Sequence, residues 1–252
     1  MSILKKFYWG FLLFSGCTYL NPAVENFNVV SVPEEAQMGD QMAATISQQM
    51  KLVETPALVN PVRSIGNRLV ARLPSKDFEY RFYVVEDKTP NAFTIPGGRI
   101  YVHTGLLSLS SDESELAGVL AHEIGHASAR HPAHSISRQY GLDSLSKFLF
   151  PENKQQLRLL AINLARTGFL THYSRADELE ADAIGFNLLK SAGFQSDGLV
   201  RFLKKIQTLE KGGASIPFFA SHPPTPERVA RLEAMQKGGP NVSLASENKS
   251  LF

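Results

Sequence analysis

The sequence predicts an α+β fold, mostly helical with one small sheet. Three observations carry this. Segments with apolar residues at three- and four-residue spacing fill most of the chain. Extended patterns are confined to residues 78–103. A chain of 252 residues that is 43 % hydrophobic and 20 % charged is long enough for one sizeable core, and its composition is neither that of a disordered chain nor that of a polytopic membrane protein.

The elements follow in order. Residues 21–33, with Asn21-Pro22 and Val32-Pro33, show no sustained period and read as a tether. Helices are predicted over 34–53 and 58–73, the second with Val62, Ile65, Leu69 and Leu73 on one face, and together they are expected to form an outer layer. Residues 78–86 alternate through Phe78, Tyr80, Phe82 and Val84, the pattern of a strand. Residues 91–95 and 99–103 flank Pro96-Gly97-Gly98 and read as a hairpin. Ser111 or Asp112 caps a helix that runs to about His131, where Pro132 closes it. Further helices are expected over 133–148, 151–170, 174–191 and 197–211, the last behind a Ser196 cap. A final helix starts at Thr225-Pro226-Glu227. From Gly238 the chain reads as a disordered tail. The division is therefore a leader at 1–16, a tether at 17–33, one domain at 34–237 and a tail at 238–252.

The leader has Lys5 and Lys6, then the apolar run Phe7 to Phe14, then Ser15-Gly16-Cys17. That is the layout of a secretory signal, and the run is shorter than the roughly 20 apolar residues a spanning helix needs. Leu13-Phe14-Ser15-Gly16-Cys17 resembles a bacterial lipobox, with Phe14 standing where an aliphatic residue is usual. The resemblance implies export, acylation of Cys17 and, with Thr18 rather than Asp next, attachment to the periplasmic face of the outer membrane; without acylation the product is a soluble periplasmic protein. A single cysteine excludes an internal disulfide and any cysteine-based metal cluster. The formal charge of +2 is carried by the two leader lysines, so the mature chain offers no basic field to nucleic acid, and no nucleic-acid partner is expected.

The chemistry concentrates in His122-Glu123-Ile124-Gly125-His126. Residues four apart share a helix face, so both imidazoles can reach one zinc ion while Glu123 sits beside the open coordination position. There it can take a proton from water that zinc acidifies, the chemistry of amide hydrolysis. With 7 His and 16 Glu, chance gives such a motif about 0.01 times in this length, so its presence on a helix is informative. A catalytic zinc needs a third protein ligand, and Ser174 to Gly185 supplies Glu178, Glu180 and Asp182 on another helix. Spacing alone leaves Glu178 and Glu180 open, and an acidic first turn also complements a helix dipole.

Together these motifs resemble the zinc metallopeptidases of the CAAX prenyl protease and HtpX type, and more closely the family's small periplasmic members, over most of residues 85–235. The resemblance implies a zincin-like fold whose edge strand borders the active-site cleft, and one zinc ion per chain. It implies His122, His126 and Glu178 as zinc ligands, Asp182 as the carboxylate behind a ligand histidine, and Glu123 as general base. Asn91-Ala92-Phe93 match the family's edge strand, which would bind an extended polypeptide substrate through main-chain hydrogen bonds. Ser221-His222-Pro223-Pro224-Thr225-Pro226-Glu227-Arg228 match its C-terminal signature. His222 would then stabilise the oxyanion, or ligate zinc and keep the enzyme latent, the alternative being a capping or packing role. Tyr173 or Arg175 could polarise the substrate instead. His131, five residues past His126 and off its face, reads as structural, and the 151–170 segment reads as core or as a flap over the cleft.

The expected function is zinc-dependent endopeptidase action on unfolded or misassembled cell-envelope proteins. A chaperone-like envelope factor with a latent or closed zinc site, and a small-molecule amidase, are the competing expectations. Nothing in the residues sets oligomeric state.

Overall fold

The computed structural model describes residues 30–140, 154–167, 172–213 and 216–238. The leader, Cys17, most of the tether and the tail beyond Gly238 lie outside these, as do 141–153 and 168–171, parts of two expected helices.

The first helix, α1 (Val32–Gln49), opens on a capping box. The Ser31 side chain accepts from the Glu34 N–H, and the Glu34 carboxylate accepts from the Ser31 N–H. It ends four residues short of the expected Val53 because the chain there joins the sheet: the Val53 N–H donates to the Val84 carbonyl, and Leu52 bridges Val85. Helix α2 (Pro56–Val70) follows a Thr55 N-cap.

The sheet has strands β1 (Arg81–Val85), β2 (Ala92–Ile95) and β3 (Arg99–His103) in the order β1-β3-β2, with β1 parallel to β3 and β2 antiparallel to it. Phe82 pairs with Ile100, and Phe93 with Tyr101. Residues 78–80, expected in the strand, lie outside β1. The parallel ladder begins at Arg81 and Arg99, because β3 itself starts only after the Gly97-Gly98 turn. Both glycines have φ of 78°, a left-handed conformation that a side chain would strain.

A short helix, α3 (Thr104–Leu109), not expected from periodicity, follows β3 at once. It is docked by the Gly105 N–H and the Thr104 hydroxyl, both donating to the Asp87 carbonyl. Helix α4 (Glu113–Ser128) is capped by Asp112, whose carboxylate accepts from the Glu115 N–H. It does not reach His131. The chain turns at Arg130, which has φ of 60°, and Pro132 lies in the first turn of α5 (His131–Tyr140) rather than closing α4, since a first-turn residue needs no donor.

The remaining helices are α6 (Lys154–Thr167), α7 (Arg175–Ser191) behind a Ser174 and Asp177 capping box, α8 (Gly198–Lys211), a short α9 (Pro217–Ser221) and α10 (Pro226–Gln236) capped by Thr225. Asp197, not Ser196, occupies the N-cap of α8.

Two apolar clusters sandwich the sheet. Phe82, Val84, Ile100 and Val102 pack with α2, α4, α7, α8 and α10 on one side. Val85, Phe93, Ile95 and Tyr101 pack with α1, α5 and α6 on the other. The two N-terminal helices therefore cover opposite faces of the sheet instead of forming one outer layer. Leu157, Leu160 and Leu164 make α6 part of the second core. No helix among the described residues is long and apolar enough to cross a membrane.

Candidate metal centre

Helices α4 and α7 approach closely because each carries a glycine at the crossing. A Cβ on Gly125 would lie 2.7 Å from the Ala181 carbonyl oxygen, and one on Gly185 would lie 3.1 Å from the Ala121 backbone. This contact sets the rotation of α7 and brings Glu178, not Glu180, over the two histidines of α4. The Glu178 Oε1 is 3.3 Å from His126 Nε2, and Oε2 is 3.5 Å from His122 Nε2. Glu180 points to His131, 3.4 Å away.

His222, on the bend between α9 and α10, completes the group. Its Nδ1 lies 3.0 Å from Glu178 Oε1 and 3.3 Å from His122 Nε2, which in turn is 3.0 Å from His126 Nε2. His122, His126, Glu178 and His222 are buried, and among the described residues they form a group whose donor atoms, all within 4.8 Å of one another, could hold a metal ion. A tetrahedral zinc with bonds of about 2.0–2.1 Å has donor separations of about 3.3–3.4 Å. Three imidazole nitrogens and a carboxylate oxygen already stand close to that spacing, and they are the donor types zinc takes.

A second ring of groups surrounds these. The Asp182 Oδ1 is 3.0 Å from His122 Nδ1. Arg228 of α10, 1 % exposed, makes a two-pronged contact with Asp182, Nε to Oδ2 and Nη2 to Oδ1, both 2.7 Å. Its Nη1 is 2.6 Å from Glu178 Oε2 and donates to the Pro223 carbonyl. On the other side, His131 Nδ1 lies 2.9 Å from His126 Nδ1. Tyr173 stacks on the His126 ring at 4.0 Å. Arg175 is exposed and pairs with Glu227, away from the histidines.

Electrostatics follow from this packing. Burial would raise the Glu178 and Asp182 carboxyls, but Arg228 and the neighbouring histidines, His222, His122 and His126 for Glu178 and His122 for Asp182, together outweigh it and hold both below the ordinary carboxylate range. Burial works against charge on His122, yet its hydrogen bonds to Asp182 and Glu178 lift its pKa to about 9. A cation bound there displaces that proton, so affinity rises with pH. Burial lowers His126 well below the usual range, with the His122 charge acting in the same direction.

Glu123 differs from the other carboxylates. It is fully buried, and neither oxygen receives a hydrogen bond, although His222 Nε2 lies 3.4 Å from Oε1. Burial raises its pKa, and the nearby His222 and His122 reduce that shift without reversing it. A buried carboxyl left without a donor beside a cluster of metal-type ligands suits a proton acceptor rather than a structural group.

Asn91, Ala92 and Phe93 are brought beside α4 at the free edge of the sheet, but all three are buried. Ala92 lies in the core between the sheet and α4, and Phe93 stacks on Tyr101 at 4.9 Å. Two members of the site carried no role in the sequence. Arg228 stood at the end of the C-terminal signature with no role of its own, and no local cue links it to Asp182, 46 residues away. His131 was assigned to structure by its spacing from His126.

The model of peptidase family M48 matches residues 56–236. The chain belongs to peptidase family M48. The motif resemblance thus holds, and the helical domain with its small open sheet is the zincin-like fold of M48 metallopeptidases. The M48 chain is similar to the beta-barrel assembly-enhancing protease of Yersinia pestis, 31 % identical over 186 residues, covering 70 % of this chain and 38 % of that protein. The Escherichia coli K12 protein of the same name is 28 % identical over 213 residues, 81 % of this chain and 44 % of its own length. The mitochondrial metalloendopeptidase OMA1 of Schizosaccharomyces pombe is 29 % identical over 244 residues, 91 % of this chain and 72 % of that protein. The M48 chain therefore spans less than half the length of these two assembly-enhancing proteases.

Proposed function

We propose that the chain is a zinc-dependent endopeptidase that hydrolyses peptide bonds of unfolded or misassembled cell-envelope proteins. The single observation that carries this is the set of donor atoms from His122, His126, Glu178 and His222 at near-tetrahedral spacing, with the buried Glu123 carboxyl, which accepts no hydrogen bond, beside it. His122, His126 and Glu178 would hold the zinc, and Asp182, against His122 Nδ1, would leave the His122 Nε2 free to bind it. Zinc, when bound, supplies Lewis acidity that polarises the scissile carbonyl and makes water acidic enough to lose a proton near neutral pH. Glu123 receives that proton and returns it to the leaving amine. The main chain of Asn91–Phe93 aligns the polypeptide as an added strand, which requires that the groups now burying this edge move away. The envelope setting is supported by the names of the assembly-enhancing relatives and by the leader, with Cys17 as the acylated anchor on the periplasmic face of the outer membrane. Dialysis of the purified domain against a chelator is expected to abolish casein cleavage, and stoichiometric zinc to restore it. Cleavage that persists in metal-free protein would sink the reading.

His222 has a separate role in this scheme. With its Nδ1 in the donor group, His222 would fill the fourth position of a tetrahedral zinc, the condition of a closed site, and would hold the enzyme in a low-activity state until it leaves that position. His222→Ala is expected to raise kcat/KM for casein at unchanged zinc content. A fall would make His222 an oxyanion stabiliser, and unchanged activity would leave it neither role.

A further inference from the structure

His126 has two ring nitrogens, and the donor group uses only one. Its Nε2 faces His122 and Glu178, while its Nδ1 points the other way, 2.9 Å from the Nδ1 of His131. Both rings are buried, at 0 % and 1 % exposure, so water does not compete for this contact. Two neutral imidazoles meeting nitrogen to nitrogen share one proton, and the donor must be the ring whose other nitrogen needs a free lone pair. For His126 to present a lone pair at Nε2, its proton sits on Nδ1 and is donated to His131 Nδ1. His131 then carries its own proton on Nε2, and that nitrogen faces two carboxylates, Glu180 Oε2 at 3.4 Å and Asp177 Oδ1 at 3.7 Å. The order of donors is consistent from the carboxylates to the metal group.

The backbone is arranged for this contact. Arg130, the residue before His131, has φ of 60°, a left-handed conformation unfavourable for a residue with a side chain. It is held there by an ion pair to the buried Glu35, Nε to Oε2 at 2.6 Å, and by donation to the Val30 carbonyl. The turn places His131 at the start of α5, where it reaches back to His126 although it lies off the helix face that His126 occupies.

We infer that His131 is a positioning residue: it accepts the His126 Nδ1 proton, is itself oriented by Glu180 and Asp177, and so fixes the tautomer and ring angle with which His126 meets the metal. On the other ligand histidine the same task falls to Asp182. This rests on His126 being a ligand.

The test compares zinc affinity, by chelator competition, and kcat at saturating zinc in the full domain. Asn places an amide oxygen where His131 has Nδ1, so His131→Asn keeps an acceptor, and His131→Leu fills the space without one. His131→Leu is expected to bind zinc about 10–100-fold more weakly, the usual loss when such a partner is removed, and His131→Asn to stay within about threefold of wild type. Wild-type affinity and kcat in His131→Leu overturn the inference, and so does an equal loss in both variants, which would mark a packing role. If His131→Leu does not fold, His131→Ala carries the same comparison. Should neither fold while His131→Asn does, the polar contact serves folding and not the zinc affinity of a folded site, and the inference falls. His126→Ala separates the two assignments: wild-type zinc affinity there refutes the ligand itself, whereas loss there with retention in His131→Leu refutes only the positioning role.

Discussion

Glu123→Gln is expected to lower casein cleavage by at least about 10²–10⁴-fold, the range attributed to a positioned proton acceptor, with zinc content equal to wild type. Gln matches Glu in size but cannot take a proton at neutral pH. Both Glu123 oxygens lie buried without a donor, so the amide also removes a buried acid whose burial raises its pKa. The variant should therefore be no less stable than wild type, which separates lost chemistry from lost structure. Zinc analysis, thermal unfolding and turnover on one preparation make the check. Activity within a few-fold of wild type would refute the assigned base.

Arg228→Leu is expected to destabilise the metal-free domain by about 3–5 kcal/mol, the range for removing one partner of a buried ion pair. The guanidinium spans Asp182 and Glu178, and without it two carboxylates remain buried beside the histidines without this cation. Arg228→Lys recovers only part of the loss, because an ammonium cannot reproduce the two-pronged contact with Asp182. Because Arg228 depresses both carboxyl pKa values, its stabilisation is present above the unfolded-state values near 4 and is lost as pH falls through the lower folded-state values. Zinc neutralises part of the same charge, so the deficit is smaller in zinc-loaded protein. Urea unfolding with and without zinc measures both effects. A loss under about 0.5 kcal/mol, the size of an ordinary surface substitution, would show that Arg228 does not compensate these carboxylates.

Much of the fold was legible because its cues are local. The Asp112 cap, the Ser174 capping box, the Thr225-Pro226 start and the Gly97-Gly98 turn each depend on neighbours within about four residues, and each element stands where those cues put it. Errors arose where a distant partner overrode the local pattern. Residues 51–53 left a helical pattern to pair beside β1, residues 78–80 lacked a partner strand, and the positive φ of Arg130 turned Pro132 from a helix stop into a helix start.

The sequence by itself determined the relation of His122, Glu123 and His126, because residues one, three and four apart on one helix have fixed relative positions. It also determined that an acidic helix start at Ser174 was available to complete a metal group. Spacing left the acid open and the family resemblance implied Glu178; only the tertiary structure shows why Glu178, and not Glu180, faces the two histidines. Glu178 and Glu180 are equivalent in spacing rules, and the choice follows from the rotation of α7, set by Gly125 against Ala181 and Gly185 against Ala121. The burial of Arg228 between Asp182 and Glu178, the approach of His222 across 100 residues of chain to His122, and the back-contact of His131 to His126 are likewise products of packing. Their physical reason is common: local sequence rules reach one helical turn, whereas the charge and proton order of this centre depend on side chains that become neighbours only when the core closes.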